Sequence, residues 1–499
     1  MQGTLPPRRV TATNGPWPLH DVATSRALER QALSGTEGGT LMAKAGLAVA
    51  RLALASAPHA ALFQVWAGPG NNGGDGLVAA HELHRAGHKV QVCLLADAAR
   101  LPADAAQALQ AAQRAGVPIG GWPDPGQAPG LVIDALLGLG ATRAPAAVLA
   151  RAIDHLNQCG APVLAVDIPS GMHPDTGTVL GAAAVVAQTT LALLTLKPGC
   201  FTHQGRAHAG SVWLDTLGVA SPVCTAWLSS APIQAARGHG THKGSFGDVA
   251  VVGGAAGMVG AAWLAGSAAL AAGAGRVYCS LLADGEVALA PVRPELMSRT
   301  QWWREPPAVL AATTVACGCG GGAAVRQALP PLLSLAGRLV LDADALNALA
   351  DDTSLQALLR QRGVRGLPTV LTPHPLEAAR LLACATADVQ HNRLAAARTL
   401  SAQFGATVLL KGSGTVVESG DGVPWINSTG NAALATAGTG DVLAGWLAGL
   451  WAQQPLSAPG AVAAVAAWQH GRAADRFAAR LPGHPIRAAD LIEAMAHEG

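Results

Sequence analysis

Asparagine, aspartate and glycine are concentrated in one short motif of the first half, GPGNNGGDG at residues 68–76, which follows an apolar run. Glycines let the backbone approach a ligand closely, and amides at a helix N-terminus bind anions. Asn71, Asn72 and Asp75 add side-chain oxygens to the same turn. A plain glycine turn with left-handed asparagines is the alternative, but the motif is longer than such a turn requires. We therefore predict a polar binding loop.

Two aspartates of the same half end apolar segments: Asp134 ends LVID, and Asp167 ends VLAVD. In an open parallel sheet the carboxyl ends of the strands meet at one edge, where ligands bind. A single aspartate at a strand end can equally be the N-cap of the next helix. Because two aspartates and the asparagine loop would converge on one edge, we expect a site there.

The most informative motif of the second half is GTGD at residues 438–441, which opens a helical pattern. Backbone amides at a helix N-terminus bind anions, and Asp441 could accept a proton from a hydroxyl during phosphoryl transfer. A simple aspartate cap is the alternative. A Walker A motif, GxxxxGK[ST], is absent from the sequence. Four further polar loops support a site: ACGCGGG (316–322), LDADALNAL (341–349), TPHPLEAARLL (372–382) and LKGSGT (410–415).

The elements that position these motifs follow an α/β pattern. Short apolar runs alternate with helical patterns in both halves, which indicates parallel sheets covered on both faces. The halves share no repeated motif, so we predict two different domains, 1–220 and 241–499. The irregular segment 221–240, with two prolines, is predicted as the linker.

The composition is that of a globular protein. Of 499 residues, 50% are hydrophobic and only 13% charged, which excludes an intrinsically disordered chain. Lys+Arg 33 against Asp+Glu 31 leaves no broad basic face, so we expect no nucleic-acid partner. Eight cysteines are too few for a disulfide framework, and Cys317 and Cys319 lack further ligands at zinc-finger spacing.

An uncharged stretch, residues 249–275, is long enough to cross a bilayer. It is interrupted by glycines and begins with VAVVGG, which favours a buried strand followed by a packed helix. The first ten residues carry charge and no apolar segment, so no signal peptide is predicted. We expect a cytoplasmic protein with no membrane partner.

The motifs NNGGDG, DALLGLG and DIPSG, in this order and followed by LKPG, resemble the NAD(P)H-hydrate epimerase family (YjeF N-terminal) over most of residues 20–220. The resemblance implies a Rossmann-like three-layer sandwich, a bound potassium ion and Asp167 as acid/base. One departure is Leu101-Pro102, where many relatives carry Lys-Gly. The implied potassium ligands are Asn72, Asp134 and Ser170, and the implied dinucleotide and phosphate contacts are Asn71, Asn72, Gly73, Gly74, Asp75, Gly138, Leu139, Gly140, Ala141, Thr142, Arg143 and Ala144.

The second half resembles the ribokinase superfamily and, within it, the ADP/ATP-dependent NAD(P)H-hydrate dehydratases, over residues 240–495. The resemblance rests on HKG, DADALN, TPHP-x-E, KG-x-G-T and N-x-TGN…GTGD. Relatives usually carry Gly-Pro-Gly-Leu-Gly where this chain has Gly318-Cys-Gly-Gly-Gly, and often Pro where Ser428 stands. The implied nucleotide contacts are Lys411, Gly412, Ser413, Gly414, Thr415 and Gly440; the implied contacts to hydrated dinucleotide are Ala261, Gly320, His374 and Asp441, the last as catalytic base.

These resemblances predict a repair enzyme for hydrated NADH and NADPH. The first domain would interconvert the C6 epimers, and the second would use ADP, with Mg²⁺, to dehydrate the S epimer and release AMP and phosphate. We also expect a homo-oligomer. Two alternatives remain: a ribokinase-type small-molecule kinase with a fused nucleotide-binding module, and a protein whose first half only holds a nucleotide.

Overall fold

A computed structural model describes residues 6–34, 39–123, 128–233, 237–283, 293–420 and 422–497 of the chain. The chain divides into two units, Met1–Leu228 and Ser229–Gly499.

The first unit is built on a sheet in which apolar strands alternate with helices. In chain order its elements are β1 Arg8–Arg9, β2 Trp17–Leu19, α1 Val22–Ser34, α2 Thr40–Ser56, β3 Phe63–Ala67, α3 Asn71–Arg85, β4 Val90–Leu94, α4 Ala103–Arg114, β5 Ile119–Gly120, β6 Leu131–Ala135, α5 Ala147–Gln158, β7 Val163–Val166, β8 Thr189–Leu193, α6 Gly205–His208, β9 Ser211–Asp215 and β10 Ala226–Leu228.

Eight of these strands form the main sheet, in the order β1-β9-β8-β7-β6-β3-β4-β5. All pairs are parallel except the edge pair β1–β9. The chain runs outward from β3 and returns at β6, so the strand order reverses between these two strands. Ligands bind at such a reversal in open α/β sheets, outside the carboxyl ends of the strands.

Both faces of this sheet are covered, which makes three layers. Phe63, Val65 and Ala67 of β3 pack in one buried cluster with residues of α2, α3 and α4. Trp66, between them, packs in a second cluster with residues of α5. Alternate side chains of a strand point to opposite faces, so a strand buried on both sides is mostly apolar, and the one polar residue of β3, Gln64, accepts a hydrogen bond from the ring nitrogen of Trp66.

The second unit follows the same scheme with more helices. In chain order its elements are β11 Asp248–Gly253, α7 Val259–Ala271, β12 Arg276–Leu281, β13 Met297–Ser298, α8 Pro307–Ala312, β14 Thr314–Cys317, α9 Leu329–Leu335, β15 Arg338–Leu341, α10 Asp344–Ala350, α11 Thr353–Val364, β16 Thr369–Leu371, α12 Pro375–Leu382, α13 Thr386–His391, α14 Arg393–Phe404, β17 Thr407–Leu410, β18 Val416–Glu418, β19 Trp425–Ile426, α15 Thr439–Gln453, α16 Pro459–Arg480 and α17 Ala488–Ala496.

The strands of this unit lie in the order β13-β12-β11-β14-β15-β16-β17-β18-β19. Those from β13 to β17 are parallel, and β18 and β19 continue the sheet antiparallel. Val249 and Val251 of β11 pack with residues of α7, α15, α16 and α17, while Ala250 and Val252 pack in a cluster on the opposite face. The predicted α/β fold of both halves is confirmed.

The predicted linker and the uncharged stretch both contain regular secondary structure. The predicted linker, 221–240, is not irregular throughout, because it contains β10, which pairs antiparallel with β2. The uncharged stretch 249–275 forms β11 and α7, as expected. Among the described residues, no helix combines the length and the apolar character needed to cross a membrane.

Candidate active sites

A cavity of about 930 Å³ opens in the first unit at the carboxyl ends of its strands. Asn71, Asn72 and Asp75 of α3 line it, together with the loop 138–144 and Asp167. Most of the predicted contacts therefore share one cavity. The predicted contacts Gly73 and Gly74 are not among its lining residues.

These two glycines serve packing. A Cβ on Gly73 would lie 2.1 Å from the carbonyl oxygen of Gly68, and one on Gly74 would lie 2.6 Å from Cε of Met42. Only glycine at position 73 lets α3 approach the backbone of Gly68, whereas the end of the Met42 side chain could move away from a Cβ on Gly74. With α3 packed in this way, its first residues line the cavity.

Below the cavity, Asp134 and Ser170 form a buried pair. The Ser170 hydroxyl donates to Asp134 Oδ1 at 2.6 Å, and the Ser170 amide donates to Asp134 Oδ2 at 2.9 Å. The amide of Leu136 also donates to Oδ1, at 3.2 Å. Burial raises the pKa of Asp134 to about 6, although these hydrogen bonds oppose the rise. A cation beside this carboxylate would favour its ionised form.

The third predicted potassium ligand, Asn72, is buried next to this pair. A Cβ on Gly138 would lie 3.1 Å from Asn72 Oδ1, and Gly138 follows Leu137, whose amide donates to Ser170 Oγ at 2.8 Å. Asn72 Nδ2 has no hydrogen-bond partner among the described residues. Amide oxygen and nitrogen are assigned from their partners. If the Asn72 amide group is turned over, its oxygen takes the buried position of Nδ2. An oxygen at that position suits a cation that is bound by oxygen ligands.

Asp167 lies at the end of β7 in a left-handed conformation, with φ of 69°. Its carboxylate contacts the ammonium group of Lys197, which is 1% exposed and also lines the cavity. Lys197 donates in addition to the carbonyl oxygens of Leu193, at 2.8 Å, and Thr195, at 2.9 Å. A left-handed non-glycine residue at a cavity wall is a common sign of function.

Lys197 is a candidate site residue that we did not predict. Its signal was present, because it is the single charged residue in the apolar stretch TLALLTLKPG. A buried lysine needs a partner, and the carboxylates of the unit were the natural candidates.

Asp75 is another carboxyl group that lines this cavity. Burial raises its pKa well above the usual range, and the neighbouring charge of Asp167 adds to the rise. The raised pKa favours the protonated form of Asp75, while the carboxylate of Asp167 has an ammonium partner. Two carboxyl groups kept in different protonation states can act as an acid and a base in one site.

In the second unit, three groups from different strand ends meet around Asp342, which follows β15. Lys411 donates to Asp342 Oδ1 at 2.6 Å, and the Thr372 hydroxyl donates to the same oxygen at 2.8 Å. Cys319, Asp342 and Asp441 place ligand atoms within 4.8 Å of one another. The predicted residues Lys411 and Asp441 are thus brought together. Their neighbours Asp342, Thr372 and Cys319 belong to the predicted polar loops, although none of the three was predicted as a ligand contact.

Asp441 lies in the first turn of α15, as expected from its motif. Gly438 caps this helix in a left-handed conformation, with φ of 88°. A Cβ on Gly440 would lie 3.5 Å from Lys411 Nζ, so the first amides of α15 lie beside an ammonium group. Burial, with the charge of Asp342, raises the pKa of Asp441 to about 6. The group is ionised near neutral pH and can accept a proton.

His374 begins α12 and is held by a reciprocal cap. Its Nδ1 accepts from the amides of Leu376 and Glu377, and Glu377 Oε2 accepts from the His374 amide at 2.7 Å. Burial raises the pKa of Glu377 to about 7, although Lys411, 3.9 Å away, opposes the rise. Burial lowers the pKa of Lys411, but Asp342 and Glu377 outweigh it, so the pKa is raised and the ammonium is retained.

The other predicted residues of this unit fall in two places. Ala261 of α7 lies against Gly320, because a Cβ on Gly320 would lie 2.9 Å from that of Ala261. The remaining predicted residues follow β17, where Gly412 and Gly414 have positive φ of 136° and 64°. The loop that holds Lys411 is therefore one that only glycine-rich sequence can form; its predicted members are Lys411, Gly412, Ser413, Gly414 and Thr415.

The chain matches two family models. One, described as "YjeF-related protein N-terminus", matches residues 38–199, and the other, described as "NAD(P)H-hydrate dehydratase", matches residues 249–496. A solved structure of an ADP/ATP-dependent NAD(P)H-hydrate dehydratase from Bacillus subtilis, co-crystallised with ATP/Mg²⁺, is 29% identical. It covers 52% of this chain and 91% of that chain, with a TM-score of 0.43.

Curated relatives match nearly the whole chain. A protein of Coxiella burnetii is 36% identical over 482 residues, covering 94% of this chain and 96% of the relative. One of Escherichia coli is 35% identical over 477 residues, covering 91% of this chain and 88% of the relative. Both are named bifunctional NAD(P)H-hydrate repair enzyme Nnr. On this similarity, the chain belongs to the family of bifunctional NAD(P)H-hydrate repair enzymes.

Proposed function

We propose that this protein repairs NADH and NADPH that have added water across the nicotinamide ring. The first unit interconverts the two C6 epimers of the hydrate, and the second unit dehydrates the S epimer to the reduced dinucleotide. The observation that carries the proposal is that each unit has its own acid–base cluster at the carboxyl edge of its sheet. In the first, Asp167 pairs with Lys197, and in the second, Asp441 lies beside Asp342 and Lys411.

In the first unit, Asp167 is the base and Asp75 the acid. As Asp167 takes the proton of the C6 hydroxyl group, the C6–N1 bond opens, C6 becomes an aldehyde and N1 receives a proton from Asp75. Rotation of the aldehyde, closure of the bond on its other face and return of both protons give the other epimer. The Lys197 ammonium contacts the Asp167 carboxylate that takes the proton, and burial raises the pKa of Asp75, which favours the protonated form that donates to N1.

Asn72, Asp134 and Ser170 are the residues that would hold a potassium ion. The set consists of oxygen donors with a single carboxylate, which suits a monovalent cation better than a divalent one. When bound, the ion would supply positive charge close to the phosphates of the dinucleotide. Ser170 and the amide of Leu136 already orient the Asp134 carboxylate for that purpose.

In the second unit, Asp441 takes the proton of the C6 hydroxyl as that oxygen attacks the terminal phosphoryl group of ADP. The phosphoryl group is transferred to the C6 oxygen, and AMP is the leaving group. The amides at the start of α15 and the ammonium of Lys411 stabilise the charge on the transferred group. The C6–O bond then breaks with its electron pair on the departing phosphate while N1 supplies electrons to C6, and the phosphate takes the C5 proton as the C5–C6 double bond is restored. Hydroxide is a poor leaving group and phosphate a good one, which is why the nucleotide is needed.

Magnesium would enter this site together with the nucleotide. The carboxylates of Asp342 and Asp441 are hard oxygen donors next to the anion-binding amides, which fits an ion carried by phosphates. When bound, it would neutralise phosphate charge. We propose ADP as the phosphoryl donor.

The test is to incubate the purified protein with hydrated NADH and ADP and to follow the absorbance of reduced nicotinamide. Repair restores that absorbance in proportion to the AMP released. A small-molecule kinase would not restore the absorbance, and a nucleotide-binding module would show no turnover. Omitting ADP should leave epimer exchange intact, because the first unit needs no phosphoryl donor.

A further inference from the structure

Arg393, the first residue of α14, is a buried cation without a carboxylate beside it. Its side chain is 1% exposed, and no acidic group among the described residues pairs with its guanidinium. An arginine buried to this extent normally faces a carboxylate. Burial lowers its pKa only to about 10, so the group keeps its charge at neutral pH. The start of a helix is also partly positive, so a cation in this position lowers stability until a negative charge joins it.

The guanidinium contacts the backbone that carries Lys411. Nη2 of Arg393 donates to the carbonyl oxygens of Leu410 and Lys411, both at 3.0 Å. Nη1 donates to the side-chain oxygen of Gln390 at 2.7 Å. A Cβ on Gly412 would lie 2.9 Å from Nη1, so the guanidinium packs closely against the Gly412 backbone. One buried side chain therefore contacts three consecutive backbone positions at the start of the loop that follows β17.

The same loop carries the ammonium group of the candidate dehydratase site. Lys411 donates to Asp342 at 2.6 Å, and a Cβ on Gly440 would lie 3.5 Å from Lys411 Nζ. Because Arg393 is almost fully buried, it would act on a bound molecule from beneath the loop and not by direct contact. A positive charge in such a place attracts a polyanion more strongly than the same charge in water, because the protein interior screens it less.

We propose that Arg393 is a positioning residue of the dehydratase site, which holds the Lys411 loop in shape and adds positive charge beneath it for the binding of a nucleoside diphosphate. The inference rests on the proposed function of the second unit, in which this loop binds the nucleotide. The diphosphate then brings the negative charge that the described residues do not place beside the guanidinium.

Arg362 of α11 provides a matched control in the same unit. It too is 1% exposed, and it donates to carbonyl oxygens, among them those of Ala336 at 2.6 Å and Pro368 at 3.2 Å. Burial lowers its pKa to about 10, as it does for Arg393. Ala336 and Pro368 precede β15 and β16, so Arg362 lies at the amino edge of the sheet, opposite to the candidate site.

The first measurement is the dissociation constant for ADP with magnesium, obtained by calorimetry on full-length wild-type protein, Arg393→Lys and Arg362→Lys. Lysine keeps the charge but lacks the planar fork that reaches all three oxygens, so Arg393→Lys should weaken ADP binding by about tenfold. Arg362→Lys should lose comparable stability in a urea titration and bind ADP as wild type does. Equal losses of affinity in the two variants would reflect general destabilisation and would overturn the inference.

Gln390→Glu separates the charge from the shape of the loop. The new side chain has nearly the same size and still accepts from Arg393 Nη1, but it places a carboxylate against the guanidinium. ADP binding should weaken by about three- to tenfold, because the positive charge beneath the loop is neutralised. The free energy of unfolding should not fall, since a buried cation gains a partner. A loss of affinity without a loss of stability cannot come from damage to the fold.

Kinetics provide a further readout in the same variants. KM for ADP should rise together with the dissociation constant, whereas KM for hydrated NADH should stay unchanged, because Arg393 acts only through the nucleotide loop. Wild-type affinity for ADP in either Arg393→Lys or Gln390→Glu overturns the inference. A wild-type protein that binds ADP and yet restores no reduced nicotinamide contradicts the proposed function alone, and one that binds no ADP overturns both.

Discussion

The ammonium group of Lys197 contacts the carboxylate of Asp167, although the two residues are thirty positions apart in the sequence. Asp167 ends β7, and Lys197 follows β8, the neighbouring parallel strand. The parallel pairing of two adjacent strands therefore places a buried cation against the proposed base. This arrangement suggests that the epimerase site depends on Lys197 as much as on the aspartate that its motif identifies.

Replacing Lys197 with Met should abolish epimerisation. Methionine fills most of the same space but has no charge to contact the Asp167 carboxylate, so we expect the rate to fall by about 10² to 10⁴-fold. It should also lower the free energy of unfolding by about 3–5 kcal/mol, because a buried carboxylate loses its partner. Epimer exchange is followed by NMR of the hydrate, and unfolding by urea titration.

A double variant separates charge from packing. In Asp167→Asn with Lys197→Met, no buried charge is left unpaired, so much of the stability should return while epimerisation stays absent. Dehydration of the S epimer should remain normal in both variants. A Lys197→Met protein that epimerises at the wild-type rate would remove Lys197 from the mechanism.

Asp441→Asn should abolish dehydration while the protein remains folded. The amide has the same shape but cannot accept the proton of the C6 hydroxyl, and the loss of such a group costs about 10² to 10⁴-fold. The first unit supplies the internal control, since epimer exchange should continue at its normal rate. A variant that keeps more than half of the wild-type dehydration rate would exclude Asp441 as the base.

The two activities should respond to pH in opposite directions. Dehydration needs ionised Asp441, whose pKa is raised to about 6, so kcat/KM should fall tenfold per pH unit below that value. Epimerisation needs protonated Asp75, whose pKa is raised well above the usual range, so this rate should decline on the alkaline side. Separate pH profiles of the two rates check this. Asp75→Asn should remove the alkaline limb together with most of the epimerase rate.

The sequence predicted the sheet edges because they depend on local patterns. Short apolar runs followed by aspartate identify strand ends, and they located Asp134 and Asp167 at the carboxyl edge of the first sheet. The helical pattern that GTGD opens located Asp441 in the first turn of α15. The pairing of β2 with β10 was not predicted, because strands of three residues, one with a proline, show no periodicity and lie some two hundred residues apart.

The contacts of the predicted site residues were harder to predict from the sequence than their positions. Lys197 meets Asp167, and Asp342 meets Lys411, only through the order of strands in the sheet, which the motifs do not contain. Cys319 was interpreted as a substitution within a glycine loop, and the structure places its thiol within 4.8 Å of a carboxylate oxygen of both Asp342 and Asp441. The sequence shows which residues are unusual, whereas the register of the sheet decides which of them touch.

The last prediction concerns the ion. If Asn72, Asp134 and Ser170 hold potassium, ionised Asp134 is favoured by the ion and disfavoured by burial, so its pKa of about 6 should fall when potassium is added. Because the ion binds only the folded protein, potassium should also raise the Tm of the first unit's transition, and a bulky organic cation should not.

Asp134→Ala should abolish this dependence on potassium and weaken hydrate binding, while dehydration continues. Ser211→Ala, at the sheet edge away from the cavity, is the control and should respond to potassium as wild type does. Equal Tm values and equal epimerisation rates in both cations, with an Asp134→Ala protein that epimerises normally, would show that these three residues hold no potassium.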